Sequence, residues 1–374
     1  MTSYLRTGWL LVLLVGGLIG ATAAVAGAAD APDDKDIKAV VAKAVEALKK
    51  RQGEDGSFSP KLGGPGITAL VAAALLQNGY TADDPIVAKC LAYLEKSVQK
   101  DGGVYDKKLA NYTTCVALVT FTEANRNGKY DTLIKNATKF LKTLQYDDSV
   151  VEEKDGKFGG VGYDGKERPD LSNTQYFVDA LLAAGVPKND PAIQRALKFI
   201  SRCQNLPGET NDQPFAKKTS ADDKGGLTYN PFPNEKNPAL TPDGGLRSSG
   251  VMTYAGLKSF IHAGVSKDDP RVKAAADWIR RHYTVDANPG QGTSGLYYYY
   301  HTFGKAMTAF GEDELTDKDG KKHNWRLDLF NALKSRQRAD GSWLNDNPAF
   351  LENNADLTTA YALLALSYCK PAKK

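Results

Sequence analysis

The residues best equipped for chemistry in this 374-residue chain fall into a few short stretches. Tyr297-Tyr298-Tyr299-Tyr300 runs directly into His301, one of four histidines. Arg247 precedes Ser248 and Ser249, Asp170 precedes Asn173 and Gln175, Asn111 precedes Tyr112, and Asp356 precedes Thr358. An imidazole or phenol can act as general base, a carboxylic acid can protonate a leaving group, and a guanidinium can neutralise a uronate. His301, Tyr300, Arg247 and Asp170 are therefore the catalytic candidates for a glycan lyase or hydrolase. Tyr297, Tyr299, Ser249, Asn173, Tyr112 and Asp356 are the candidate ligand contacts. Equally, Ser248, Asn173, Thr113 and Asp356 stand where helix N-caps belong, and the tyrosines could be core rings with satisfied hydroxyls. Cys90, Cys115, Cys203 and Cys369 fall in neither a C-x-x-C nor a zinc-knuckle spacing, so no metal site or cofactor is expected. Each lies in an apolar helical context, which suggests packed thiols, with disulfides as the alternative.

All these candidates stand at or near the start of one kind of helix. Residues 67–76, 113–121, 176–184, 251–261, 296–310 and 357–368 are apolar or small around most of their circumference, so they cannot face water. Gly79, Gly128, Gly185, Gly264 and Gly311 close five of them. They alternate with one-sided helices such as that carrying Ile37, Val40, Val41, Ala44, Val45 and Leu48 at i, i+3, i+4, i+7, i+8 and i+11. Asp84-Pro85, Asp190-Pro191 and Asp269-Pro270 open three of these, with Asp as cap and Pro in the first turn. A phrase recurs after the one-sided helices: Gln52-Gly53-Glu54-Asp55-Gly56-Ser57-Phe58 returns as Gln337-Arg338-Ala339-Asp340-Gly341-Ser342-Trp343. Degenerate copies begin at Gln99, Gln145 and Gln204. Six helices of each kind predict an all-α (α/α)6 toroid, two concentric rings in a single domain over residues 29–374. The long outer-to-inner connections then share one face with the N-termini of the inner helices, and function is expected there. The rim should be polar and aromatic, over a deeper apolar lining of residues such as Leu118, Phe177 and Met252.

Forty-eight basic against 44 acidic side chains leave no basic stripe for nucleic acid. Arg6, the apolar run at residues 9–19 and the small residues up to Ala28 read as a signal peptide over residues 1–28, hence a secreted or periplasmic protein. Its removal takes only Arg6 among the charges, leaving 47 basic to 44 acidic. No later segment is apolar enough to span a bilayer, and a monomer is expected.

The Q-x-x-D-G-S-[W/F] phrase followed by an apolar helix resembles the QW-type repeat of the prenyltransferase and squalene-oxidocyclase superfamily, across essentially the whole mature chain. That resemblance implies an α/α toroid of six helical hairpins, a fold shared by triterpene cyclases, prenyltransferase β-subunits, thioester domains and some polysaccharide lyases. The phrase reads as structural: Gly for the turn, Asp for local amides, Gln as a cap of the preceding helix, and the aromatic as a cover. The D-x-D-D acid of class II cyclases does not occur. Tyr299-Tyr300-His301-Thr302 resembles the F-Y-H-T segment of the prenyltransferases, yet Arg247 and Ser249 stand where their zinc-binding Asp and Cys would be, and one histidine does not hold catalytic zinc. The thioester C-G-E-Q stretch does not occur either. The function expected is binding of an apolar or amphipathic, isoprenoid-like ligand, or a partner, at the long-loop face. The alternative is an enzyme at the same mouth, a glycan lyase or hydrolase or a divergent terpene cyclase or transferase.

Overall fold

The two hydrophobic patterns fold as two kinds of helix. A computed structural model describes residues 31–370, so the segment read as a signal peptide lies outside the described residues. The one-sided pattern gives α1 (Asp34–Arg51), α4 (Pro85–Lys96), α6 (Asp131–Lys142), α8 (Pro191–Arg202), α10 (Pro270–Arg281) and α12 (Trp325–Arg336). The all-round pattern gives α3 (Gly66–Gln77), α5 (Ala110–Ala124), α7 (Leu171–Ala183), α9 (Gly250–His262), α11 (Leu296–Phe310) and α13 (Ala355–Cys369). A single turn, α2 (Pro60–Gly63), precedes α3. Asp190 and Asp269 cap α8 and α10 by accepting the Ala192 and Arg271 amides, each at 2.9 Å. Asp84 does not cap α4 with its side chain; it takes the Thr81 amide at 2.6 Å instead.

Each inner helix packs on the next in the order α3, α5, α7, α9, α11, α13, and α13 returns to α3, so the inner ring is closed. The outer helices lie against it, and α1 closes the seam by packing on α13, which joins the two ends of the described chain. One hydrophobic core runs between the rings, including Ile37, Phe121, Phe177, Met252 and Trp325. The inner-to-outer connections are short except the last, where β1 (Glu314–Thr316) and β2 (Lys322–Asn324) form an antiparallel hairpin. All four cysteines are free and buried.

The repeated phrase is a staple, but its glutamine works differently from the expected cap. Gln204 donates Nε2 both to the Gly225 carbonyl of its own loop and to the Arg271 carbonyl in the first turn of the next outer helix, at 2.9 Å each. Gln52, Gln145 and Gln337 make the same bridge to Ile86, Ala192 and Val40. The phrase glycine then presses on that same neighbouring helix: a Cβ on Gly159, at φ +84°, would stand 1.9 Å from the Arg195 carbonyl oxygen. The phrase also fastens to the inner ring. The amides of Phe58, Val104, Val161, Leu227 and Trp343 donate to the hydroxyls of Thr68, Thr114, Thr174, Thr253 and Thr359.

Candidate functional site

Those threonines fix the rotation of the inner helices. A residue two places before or after one of them lies about 200° around the helix and therefore faces the ring axis. Gly66, Tyr112, Ser172 and Leu357 occupy the place two before, Tyr176 and Tyr361 the place two after, and all six line one cavity of about 240 Å³. The loop before α11 carries no copy of the phrase. There the hydroxyls of Tyr299 and Tyr300 donate to the Thr284 and Val285 carbonyls, at 2.7 and 2.6 Å, which turns both rings away from the axis. Tyr297 packs edge-on against Tyr300, and Tyr298 is left as the member of the run that lines the cavity.

The cavity is a cage of tyrosines. Tyr112 meets Tyr176 edge-on at 5.1 Å, Tyr176 stacks on Tyr298 at 6.0 Å, and Tyr298 lies 5.5 Å from Tyr361. Tyr163 joins the wall from the connection between α6 and α7, and Phe350 and Leu351 from the one before α13. Ile67, Leu109 and Leu357 supply apolar surface. Three lining residues at the mouth, Leu109, Phe350 and Leu351, hold left-handed backbone at φ about 60°, a conformation that costs a residue with a Cβ on the order of 1–2 kcal/mol. Such strain persists only where surrounding structure enforces it, and it marks this rim. Burial pushes the Tyr112 phenol up to about 12 and those of Tyr176 and Tyr361 well above their ordinary value, so the cage keeps its protons at neutral pH.

Beneath the cage the expectation of an apolar lining fails. Leu118, Phe177 and Met252 are buried, but the hydrogen-bonded chain leading down from Tyr298 is ionic. Lys258 donates to Gln175 Oε1 and Asp179 Oδ2, each at 2.5 Å, and Lys305 reaches the same Asp179 oxygen at 2.7 Å. Gln175 Nε2 donates upward to the Tyr298 hydroxyl at 3.2 Å. Burial works against the Asp179 charge, but the two lysines hold its carboxyl well below the usual range, while burial draws Lys258 down to about 8. A buried charge is tolerable only when paired in this way.

The structure does not bring the catalytic quartet together. His301 lies inside the ring beside Tyr361, with Nδ1 buried and unpartnered; burial, then Lys305 and Lys258, hold its imidazole down at about 3, so it is neutral. Tyr300 faces the outer loop, and Arg247 is exposed on the connection before α9. Asp170 caps α7 through the Asn173 amide at 2.8 Å and takes Asn173 Nδ2 at 2.9 Å, while burial raises its carboxyl to about 6. Among the ligand candidates only Tyr112 lines the cage. Asn173 belongs to the α7 cap, and Ser249 precedes α9 with its hydroxyl unpartnered. Asp356 is tied to Arg51 at 2.5 Å and Ser59 at 2.6 Å, leaving the α13 cap to Asn354. Tyr163, Ser172, Tyr176, Phe350 and Tyr361 were not singled out by type or spacing, and Tyr298 only as one member of the tyrosine run; the recurring threonine near the start of the inner helices is the signal that finds the axis-facing ones. A larger groove of about 820 Å³ runs outside the ring between α4 and α6, but it is an open, lysine-fringed furrow without convergent buried groups.

Residues 62–222 match the squalene-hopene cyclase C-terminal domain family. The chain is a terpenoid-cyclase-like α/α toroid. Among solved structures this toroid is similar to the type II terpene cyclase MstE from Scytonema, at 14% identity and TM-score 0.55 over 90% of this chain and 98% of that one. It is similar also to the GH76A alpha-1,6-mannanase from Salegentibacter sp. HEL1_6, at 11% identity and TM-score 0.57 over 89% and 98%, and to a D-mannose isomerase, at 12% and 0.56 over 90% and 97%. At such identities the likeness shows the fold alone. No curated protein matches the chain. Among the described residues no helix is long and apolar enough to cross a membrane.

Proposed function

We propose that this toroid is an exported binding protein that holds a compact, mainly apolar small molecule in the tyrosine cage on its long-loop face. The observation that carries this is the lining: five protonated phenols and Phe350 surround about 240 Å³, and no carboxylate or ammonium side chain lies on the wall. Small-molecule sites are mostly apolar hollows with a few polar groups that fix orientation, and this cage has that composition. Its size suits a ligand smaller than the geranylgeranyl dihydroxybenzoate bound by the cyclase MstE, so a short isoprenoid or a compact ring system is the better fit. Export rests on the reading of residues 1–28 and is checked by sequencing the N-terminus of protein recovered outside the cell membrane, expected to begin near Ala29. Binding is checked by native mass spectrometry of the mature protein after exposure to membrane-lipid extract and short isoprenoids. A retained small molecule supports it, and an unliganded spectrum under all of these conditions overturns it.

A second reading, an enzyme at the same mouth, draws on Asp170. Its carboxyl lies near neutrality, and the Tyr229 hydroxyl beside it stands 3.4 Å from that of Tyr163 on the cage wall. Turnover of a bound ligand that disappears in Asp170→Asn, and that in the wild type falls as pH rises through about 6 and the acid loses its proton, would favour it over simple binding.

A further inference from the structure

The hydroxyl protons of the cage do not balance. Lysine is donor-only, so the Lys258 bond to Gln175 Oε1 fixes the orientation of that amide, and Gln175 Nε2 must donate to the Tyr298 oxygen. The Tyr298 and Ser172 hydroxyls share one hydrogen bond, at 2.9 Å, and Ser172 has no other side-chain partner. Two protons and one mutual bond leave one proton over, whichever hydroxyl donates. The same holds across the cage. Tyr112, Tyr176 and Tyr361 carry three protons and make two hydrogen bonds among themselves, at 3.1 and 3.4 Å, with Tyr361 as the shared partner. Tyr163 is different, since its hydroxyl can donate to that of Tyr229, which stands next to the Asp170 carboxylate. The wall therefore offers two spare donor protons at separate places, one on the Ser172–Tyr298 pair and one on the tyrosine triad. A buried donor left unpaired costs roughly 1–3 kcal/mol.

From this count we propose that the ligand of the cage is a compact apolar molecule bearing two acceptor oxygens on opposite sides, the chemistry of a dione or quinone. One oxygen meets the Ser172–Tyr298 pair and the other the tyrosine triad. The proposal rests on the binding reading above and assigns the ligand class. Lys258 is a positioning residue in it: through Gln175 it fills one lone pair of Tyr298 and biases that hydroxyl toward donation.

The test uses rigid probes of one shape, adamantane, 2-adamantanone and adamantane-2,6-dione, measured by equilibrium dialysis against the mature protein. Affinity is expected to rise about tenfold with each carbonyl. Ser172→Ala leaves one free proton on Tyr298 and keeps the ladder, whereas S172A/Y298F removes both hydroxyls, so the dione should bind no better than the ketone while adamantane binds as before. Equal affinity for all three probes in the wild type overturns the inference and leaves the binding reading standing, as does a full ladder in the double variant. Binding of none of them overturns the inference, and the spectrum with lipid extract and isoprenoids then decides the binding reading separately. The wild-type ladder decides even where the double variant does not fold.

Discussion

Between the outer helices the toroid repeats itself, whereas around the axis it does not. Gln52, Gln145, Gln204 and Gln337 each bridge to the first turns of the following outer helix, and each phrase hands an amide to an inner-ring threonine. Inside, equivalent positions hold glycine, tyrosine, serine and leucine, and α9 adds nothing to the cage wall but places Lys258 beneath it. Repetition builds the scaffold, and departures from repetition build the site. Damage to a staple should therefore cost stability, while damage to the cage should cost selectivity.

The sharpest break is Gly159→Ala. The new Cβ meets a helix carbonyl at 1.9 Å and the backbone keeps φ +84°, so strain and overlap together should cost about 4 kcal/mol. Gly185 has a similar φ, +79°, with nothing within 4 Å of its would-be Cβ, and Gly185→Ala should cost only about 1 kcal/mol. Denaturant titration of both separates overlap from strain; equal losses would show that the phrase glycine does not seat the neighbouring helix.

This contrast also explains what the sequence could disclose. Period, phrase and helix type were legible because the staple recurs, and the closed ring with six helices of each kind follows from them. The cage was not, since a run of four tyrosines on a helix has no inherent rotation. Only the absence of a phrase before α11, which lets Tyr300 take the outward place that a threonine holds elsewhere, leaves Tyr298 facing the axis. Sequence likewise treats Asp179, Lys258 and Lys305 as unrelated charges, because 79 positions separate the first two and 126 the outer pair.

The next effect lies in pH, and it sharpens the comparison because both groups belong to the inner ring. His301, faced by Lys305, Lys258 and Asp179, has its folded value drawn down from 6.5 to about 3, so the unfolded chain takes up the proton first and stability falls as pH drops through that window. Asp170 has its value raised by burial, against Asn173, Tyr229 and Arg168, from 3.8 to about 6, so the folded state holds the proton more tightly and stability rises as pH drops from 6 toward 3.8. Between pH 6 and 4 the two oppose each other, each at roughly 2 kcal/mol. The wild type should show little net slope from this pair. His301→Gln should become more stable on acidification and Asp170→Asn less stable, each relative to wild type; parallel curves for all three would refute the assignment.

Gln204→Leu comes third. It removes two hydrogen bonds to main-chain carbonyls without altering the cage, and about 2 kcal/mol should be lost with probe binding unchanged.

The smallest effect belongs to Tyr176→Phe. Its hydroxyl makes one long bond, 3.4 Å to Tyr361, and the ring that stacks on Tyr298 stays in place, so stability should shift by no more than about 0.5 kcal/mol. Losing that hydroxyl leaves Tyr112 and Tyr361 with two protons and one mutual bond, hence still one proton for a ligand. Affinity for adamantane-2,6-dione should then stay within about twofold, even though a hydroxyl on the cage wall has gone. A contact model, in which Tyr176 itself binds the carbonyl, demands instead a loss near tenfold, so this near-silent substitution separates a shared proton from a dedicated one.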